Sequence, residues 1–302
     1  MSRQSRWERW ARIPAALRMS RRTVTAGALA LGSSRAFGAG AQRAGSVQMG
    51  LTPVLLTSDL ELLGSLRGYL SLALDREVEL VTRRTYQEIS ALLLAERLDA
   101  AWICGYPYVQ YRDQLELLAI PVWQGQPLYR SYVIVGTGRL AATFDDLEGD
   151  VHAFSDPDSN SGFLVTCDLL VDRGVKPEAF FSHFFYTYGH RNVVRAVAAG
   201  LAQSGSVDGY VWEALRETEP ELTRHTRVLR RSELLGFPPV ATSRRRSKLP
   251  PNRALANAFL DMAKHVEGQR VLSALRLDGF ATGDDALYDT IAAKAEHVGR
   301  AG

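Results

Sequence analysis

The sequence predicts an α/β protein of two lobes, in which each lobe is a mainly parallel sheet flanked by helices. Two observations predict this class. Short apolar segments of strand length alternate with segments of helical periodicity along most of the chain. This alternation favours parallel strands with helices on both faces of the sheet. The elements also fall into two groups that meet near Gly136, and 302 residues suffice for two lobes of roughly 100 to 150 residues each.

The first group contains five predicted strands and two predicted helices. The helices are an amphipathic segment that ends near Ala73 and a leucine-rich segment over residues 87–97. The predicted strands cover residues 47–51, 77–82, 100–105, 115–123 and 131–136.

The second group begins near Gly136 and repeats the alternation. Its predicted helices cover residues 145–147, 162–172 and 192–199, and its predicted strands cover residues 151–155, 184–188 and 206–212.

The last segment, a strand over 237–243 and a long helix over 255–275, has no sheet of its own to join. We therefore expect it to return to the first lobe, with crossovers near residues 131–137 and 228–240. The predicted boundaries are 42–135 for the first part of lobe 1, 136–232 for lobe 2 and 233–302 for the return to lobe 1.

The charge of the chain is unevenly distributed. Residues 1–41 contain eight arginines and one acidic residue, which leaves 28 basic and 32 acidic side chains elsewhere. Without its first 41 residues the chain is acidic, so its composition gives no support to nucleic-acid binding.

The basic N-terminal segment has the pattern of an export signal. Paired arginines, Arg21 and Arg22, precede a short Ala-, Gly- and Leu-rich stretch and then small residues that suit a cleavage site. We interpret residues 1–41 as a twin-arginine signal peptide, although Val24 stands where the usual motif prefers Phe. A mitochondrial-type presequence or a basic tail is the alternative. Export predicts a periplasmic protein.

The chain has two cysteines, Cys104 and Cys167, and neither lies in a CxxC motif or a Cys/His cluster. Two cysteines do not make a disulfide framework, and no structural zinc site is encoded. We expect no cofactor. Cys167 lies on the apolar face of a predicted helix and is expected in the core.

The segment FSDPDSNSGFL joins a predicted strand to a predicted helix and is rich in small polar side chains. Ser159, Asn160 and Ser161 would occupy the first turn of the helix, where free N–H groups and the helix dipole favour an anion. Gly162 would let a ligand approach the backbone. The alternative is an ordinary Asx-turn and N-cap, which the same residue types also suit.

A second helix entrance follows the next predicted strand. His190 lies there, where its ring could donate a hydrogen bond to a bound anion. A single histidine in this position also serves as a capping or packing residue. Because both entrances follow strands of one lobe, they could face a common crevice.

These two segments resemble parts of a known family, the phosphate-, phosphite- and phosphonate-binding periplasmic proteins. In that family a strand leads into an Asp-Pro-x-Ser-Thr-Ser-Gly turn, and a later block reads His-x-x-x-x-x-Ala-Val-x-x-Gly-x-x-Asp. The segments here are DLEGDVHAFSDPDSNSGFLV and the stretch from His190 through Gly200 to Asp208. The resemblance implies a type II periplasmic-binding-protein fold, a small oxyanion ligand and an ABC transporter permease as partner. It also implies a monomer.

The resemblance assigns the phosphonate-contacting turn to Ser159, Asn160 and Ser161 and a ligand contact to His190. It brings the end of the strand near Cys104 and Tyr106 to the pocket. Asn160 replaces the usual Thr, and Trp212 stands near the acidic residue of aminophosphonate binders, which disfavours an amine-bearing ligand.

The thiol of Cys104 leaves two alternatives open. Some periplasmic arsenite-sensing proteins in the same superfamily use a pocket cysteine, and the segment WICGYPY is similar to theirs. In that case the ligand is arsenite and the partner is a membrane histidine kinase. Otherwise Cys104 is a small buried hydrophobe.

Aromatic side chains at predicted strand ends or in the turns that follow could form the pocket walls, and Tyr132 and Tyr210 are the preferred candidates. The set is Tyr106, Tyr108, Tyr129, Tyr132, Tyr210 and Trp212. A secreted hydrolase is a further alternative. However, the sequence has no Gly-x-Ser-x-Gly elbow and no evident carboxylate to orient His190, with Asp208 the nearest candidate. We therefore predict a binding protein and no enzyme.

Overall fold

The computed structural model describes residues 45–53 and 60–301. The predicted signal peptide, residues 1–41, lies outside this part of the chain. Within the described residues, no helix combines the length and apolar character that crossing a membrane requires.

Thirteen strands are present in the described residues. In chain order they are β1 (Val47–Leu51), β2 (Val78–Thr82), β3 (Ala100–Trp102), β4 (Leu115–Val122), β5 (Leu128–Tyr129), β6 (Ser131–Gly136), β7 (Val151–Phe154), β8 (His183–Tyr186), β9 (Ser204–Asp208), β10 (Thr226–Arg231), β11 (Leu235–Gly236), β12 (Val240–Ser243) and β13 (Gly279–Ala281).

The helices alternate with these strands. They are α1 (Leu60–Leu74), α2 (Tyr86–Leu94), α3 (Gly105–Gln110), α4 (Val165–Val171), α5 (Pro177–Phe180), α6 (His190–Ala198), α7 (Gly209–Thr218), α8 (Pro220–Thr223), α9 (Pro250–Leu260), α10 (Val266–Leu275) and α11 (Asp289–Ala301). Single turns of 3-10 helix cover Asp145–Leu147, Met262–Lys264 and Asp285–Tyr288, and one π-helical turn covers Asn160–Leu164.

Lobe 1 is built on a six-stranded sheet in the order β13-β4-β12-β3-β1-β2. Strands β1, β2 and β3 pair in parallel, and β12 pairs antiparallel with both β3 and β4. The apolar side chains of Met49, Leu51 and Trp102 are buried beneath the covering helices. Strands β12 and β13 come from the C-terminal part of the chain, so lobe 1 is assembled from two separate stretches of sequence.

Lobe 2 is built on a five-stranded sheet in the order β10-β6-β9-β7-β8. Strand β7 pairs in parallel with β8 and β9, and β6 is antiparallel to both β9 and β10. The chain crosses between the lobes twice, and the short strands β5 and β11 of the two crossovers pair with each other. Both sheets are therefore mixed rather than mainly parallel, because β12 and β13 in lobe 1 and β6 in lobe 2 run against the other strands of their sheets.

Three predicted elements differ from the structure. The strand predicted over 206–212 ends at Asp208, because this carboxylate accepts hydrogen bonds from the backbone N–H groups of Tyr210 and Val211 and so begins α7. The strand predicted over 100–105 ends at Trp102, and Cys104 becomes the N-cap of α3.

The long helix predicted over 255–275 is the third difference, since α9 and α10 are separate helices joined by a 3-10 turn. The break lets Gly268 lie against the backbone of Met262. A Cβ atom at position 268 would be 2.0 Å from the Met262 oxygen.

Candidate functional site

Polar side chains from both lobes and a crossover meet in the interior of the molecule. Each lies at the end of a strand or the start of a helix, and each is at most 1% exposed. We call this set the interlobe cluster. It consists of Tyr86 and Cys104 of lobe 1, Tyr129 of the first crossover, and Ser155, Asn160, Ser161, His190 and Asp208 of lobe 2.

The turn that precedes α4 is held from two sides. The Ser159 hydroxyl accepts the Gly162 N–H at 3.0 Å and so caps the π-helical turn. The Ser131 hydroxyl of β6 donates to the carbonyl oxygen of Ser161 at 2.7 Å. Gly162 is required sterically, because a Cβ atom there would lie 1.8 Å from the Ser155 hydroxyl. These contacts leave the side chains of Asn160 and Ser161 facing the cluster.

His190 connects lobe 2 to lobe 1. Its Nδ1 accepts the backbone N–H of Asp208 at 3.1 Å, and its Nε2 lies 3.2 Å from the hydroxyl oxygen of Tyr86. Burial lowers the pKa of His190 to about 3, so the ring is neutral at pH 7. A neutral ring whose Nδ1 accepts carries its proton on Nε2 and donates it to Tyr86. The Tyr86 hydroxyl hydrogen is thereby free for another acceptor.

Asn160 also bridges the lobes. Its backbone N–H donates to Cys104 Sγ at 3.2 Å, and its side-chain amide donates to the Tyr129 hydroxyl at 2.8 Å. Burial raises the pKa of Cys104 to about 12, so the thiol is protonated at pH 7. The turn is therefore fixed against lobe 1 and against the first crossover at once.

Asp208 brings a carboxyl group into the cluster. Its Oδ1 accepts two backbone N–H groups at the start of α7, at 2.9 Å and 3.3 Å. Burial raises its pKa from 3.8 to about 7, although these two hydrogen bonds oppose the rise. The second carboxyl oxygen, Oδ2, is therefore an acceptor that is costly to leave unpaired.

Four polar side-chain atoms of the cluster are buried without a hydrogen-bond partner among the residues that the structure describes. They are Ser155 Oγ, Asn160 Oδ1, Ser161 Oγ and Asp208 Oδ2. Buried polar groups are rarely left unpaired, since each costs roughly 1 to 3 kcal/mol. Together with the Tyr86 hydroxyl, these atoms offer three hydroxyl donors and two acceptors that a small ligand could satisfy. None of the cluster residues is an arginine or a lysine.

Comparison with known proteins identifies the family. The profile of the periplasmic substrate-binding proteins of phosphonate ABC transporters matches residues 49–288. The chain belongs to this family. Its members are transport proteins rather than enzymes, and their location is the periplasm.

Solved structures agree with this fold. A binding-protein component of a phosphonate ABC transporter from Pseudomonas aeruginosa is 20% identical, with a TM-score of 0.77 over 85% of this chain and 87% of that one. PhnD1 from Prochlorococcus marinus, in complex with methylphosphonate, is 18% identical, with a TM-score of 0.74 over 84% of this chain and 97% of that one. At these identities the likeness concerns the type II periplasmic-binding-protein fold.

The structure brings Asn160, Ser161, His190 and Cys104 into the cluster of this family member, and their contact with a ligand stays a prediction. Ser159 and Gly162 shape the turn. The Ser159 hydroxyl caps it, and Gly162 fits against Ser155 because it has no Cβ atom. Tyr106, on α3, is half-buried at the edge, where burial and the nearby Asp158 raise its pKa to about 12.

Three of the predicted pocket residues are placed elsewhere. Tyr132 donates to Glu213 and packs against Trp212, whose indole N–H donates to Thr226. Tyr210 donates to the carbonyl oxygen of Leu275 at 2.6 Å. Residues 210 and 212 lie on α7 rather than on a strand, so the helical turn directs their side chains away from the cluster.

Four cluster residues are absent from the predicted site. Tyr86 and Ser155 follow strands in the same way as the predicted turn, and Thr85 and Glu88 form a capping box that marks the start of α2. A search for polar residues at every strand end would have found both Tyr86 and Ser155. Tyr129 is among the aromatic candidates for the pocket walls, and Asp208 is the carboxylate candidate nearest to His190 in the sequence analysis. Their place in the cluster depends on the crossover and on the contact of His190 with the Asp208 backbone.

Proposed function

We propose that the interlobe cluster binds a small phosphorus oxyacid of the phosphonate class. The observation that carries this proposal is the combination of hydroxyl donors with the unpaired Asp208 Oδ2 in one buried site. The donors suit the charged oxygens of the ligand, and a ligand that is fully enclosed by neutral donors needs no lysine or arginine.

The acceptors make the proposal more specific. Asn160 Oδ1 requires a donor from the ligand, and Asp208 Oδ2 requires one above its pKa of about 7, where the carboxyl group is ionised. A phosphonate or phosphite monoanion supplies one through its P–OH group. Methanesulfonate and sulfate are deprotonated at neutral pH and would place an oxygen lone pair against the Asp208 carboxylate. The site is therefore expected to select oxyacids that still carry a proton.

We further propose that the lobes close on this ligand by a hinge motion at the crossovers and present it to an ABC transporter permease. Tyr86 and Cys104 on one side and His190 and Asn160 on the other complete the site only when the lobes meet. Export of the chain by the twin-arginine route, with residues 1–41 as signal peptide, and a monomeric state belong to the same proposal.

The proposal is tested by a thermal-shift and calorimetry panel on the reduced protein with methylphosphonate, phosphite, phosphate, 2-aminoethylphosphonate and methanesulfonate. A specific ligand raises the melting temperature by mass action. At pH 8, where Asp208 is largely ionised, we expect methylphosphonate or phosphite to raise it and the isosteric methanesulfonate to leave it unchanged. Equal binding of methanesulfonate would contradict the role of Asp208, and no binding of any phosphorus compound would contradict the proposal as a whole.

A further inference from the structure

Helix α11 is a third connection between the lobes, in addition to the two crossovers. It begins on lobe 1, where Tyr288, which immediately precedes it, donates a hydrogen bond to the carbonyl oxygen of Phe237. Its last three turns lie against α4 of lobe 2. Since α11 belongs to neither sheet, opening of the cleft has to break its contacts at one end.

The lobe 1 end of α11 is anchored by buried apolar contacts. Tyr288 and Ile291 have no exposed surface. Ile291 packs so closely on Gly105 that a Cβ atom there would lie 2.7 Å from its Cδ1 atom. Asp285, just before the helix, accepts a hydrogen bond from Tyr108 of α3. Separating this end would expose apolar side chains to water.

The lobe 2 end of α11 is held mainly by charged groups. Lys294 Nζ lies 2.6 Å from Asp168 of α4 and 2.8 Å from Glu233 of the second crossover. His297 Nδ1 lies 2.8 Å from the other Asp168 oxygen, and its Nε2 is 4.0 Å from Asp172. Charged groups that were enclosed regain their hydration when the helix lifts away, so this end costs less to separate than the apolar end.

The lobe 2 end of α11 is also packed less tightly than the lobe 1 end. An open groove of about 390 Å³, lined largely by apolar atoms, remains between the last turns of α11 and lobe 2. His297 is 45% exposed, whereas the side chains of the Lys294 and Asp168 pair are only 15% and 10% exposed. The Lys294 pair is therefore the most enclosed ionic contact of this end.

The helix that α11 holds is also the helix that begins in the cluster. Asn160 and Ser161 lie in the π-helical turn that runs directly into α4, and Asp168 is on the fourth position of α4. A shift of α4 that accompanies opening of the cleft would therefore move Asp168 away from Lys294.

We propose that α11 is a latch, anchored on lobe 1 through Tyr288 and Ile291, whose C-terminal half holds α4 in the closed arrangement and releases it on opening. The latch stabilises the closed form before and after ligand binding. It requires only that the lobes open and close, whatever the ligand is.

The test compares Lys294→Gln with Lys294→Arg, which keeps the charge, and with Arg300→Gln, which removes an exposed pair within α11. The ligand-free radius of gyration from small-angle scattering reports closure without any ligand. We expect a larger radius for Lys294→Gln alone, and dissociation of methylphosphonate that is about tenfold faster. An unchanged radius in a folded Lys294→Gln protein would overturn the latch. Failure to bind methylphosphonate would overturn the proposed ligand instead.

A second variant covers the case in which Lys294→Gln is unstable. Cys167 and Val298 line the same groove, so Val298→Cys adds a second thiol to the groove between α11 and α4. We expect a disulfide between them to form in the ligand-free protein and to slow methylphosphonate association, with recovery on reduction. Formation of the disulfide without any effect on association would show that α11 does not separate from α4, which contradicts the proposal.

Discussion

The hydroxyl oxygen of Tyr86 lies 3.2 Å from Nε2 of His190, and this contact joins the two lobes in the interior of the protein. The neutral ring of His190 accepts at Nδ1 and donates at Nε2, so it positions the Tyr86 hydroxyl group. Burial raises the pKa of Tyr86 well above its usual value, which keeps the hydroxyl protonated and able to donate.

Tyr86→Phe should weaken methylphosphonate binding by about 1 to 3 kcal/mol, because a donor to a charged oxygen is lost. Isothermal titration calorimetry measures this loss. Tyr210→Phe is the matched control, since it removes a buried hydroxyl whose partner is the carbonyl of Leu275. Equal weakening by the control would show that the loss does not report a contact between Tyr86 and the ligand.

Ser159→Ala and Ser161→Ala should separate stability from affinity. Ser159 caps the turn, so its loss should lower the free energy of unfolding by about 1 kcal/mol. The Ser161 hydroxyl has no partner among the described residues, so its loss should not lower the free energy of unfolding of the ligand-free protein but should lower affinity by about 1 to 3 kcal/mol. Urea unfolding and calorimetry on both variants check this. Equal stability losses would contradict the assignment of Ser161 to the ligand.

Asp208→Asn should stabilise the ligand-free protein above neutral pH. In the fold the pKa of Asp208 is raised from 3.8 to about 7, so the folded state binds this proton more tightly than the unfolded chain does. Wild-type stability therefore falls as the pH rises from about 4 to about 7 and stays reduced above that. The amide keeps the cap on α7 and carries no charge. We expect a gain of about 1 to 3 kcal/mol at pH 8 that disappears near pH 4.

Thermal melts across this pH range measure the gain, and the exposed Asp172→Asn is the control. The same variant tests the ligand. The complex holds one proton between the oxyacid and Asp208, so wild-type affinity should fall about tenfold per pH unit once both partners are ionised. Asp208→Asn should flatten this slope and admit methanesulfonate. A wild-type affinity that does not depend on pH between 7 and 9 would exclude the shared proton.

Cys104→Ser should leave methylphosphonate binding within severalfold of wild type, because a serine oxygen can also accept the Asn160 N–H. The arsenite alternative gives the opposite expectation, since arsenite binding requires the thiol. A thermal-shift comparison of Cys104→Ser and Cys167→Ser with both compounds distinguishes them. An arsenite shift that only Cys104→Ser abolishes, without any methylphosphonate shift, would favour the sensor.

Much of the fold was predictable because alternating periodicity is a local property. Strands β1, β4 and β6 begin where the apolar pattern begins. The errors came from single contacts. Asp208 ends β9 by capping α7, and the 3-10 turn between α9 and α10 brings Gly268 against Met262. Each depends on a partner that hydrophobic periodicity does not encode.

The sequence by itself determined the α/β class, the family and the turn from Ser159 to Gly162, because these depend on residue types at fixed spacings along the chain. Only the tertiary structure decided that Tyr86 and Asp208 share one buried site, and that Tyr132 and Trp212 do not. The physical reason is that burial and the lack of a hydrogen-bond partner both depend on the residues that surround an atom in the folded protein. Those surroundings come from two lobes and a crossover far apart in sequence.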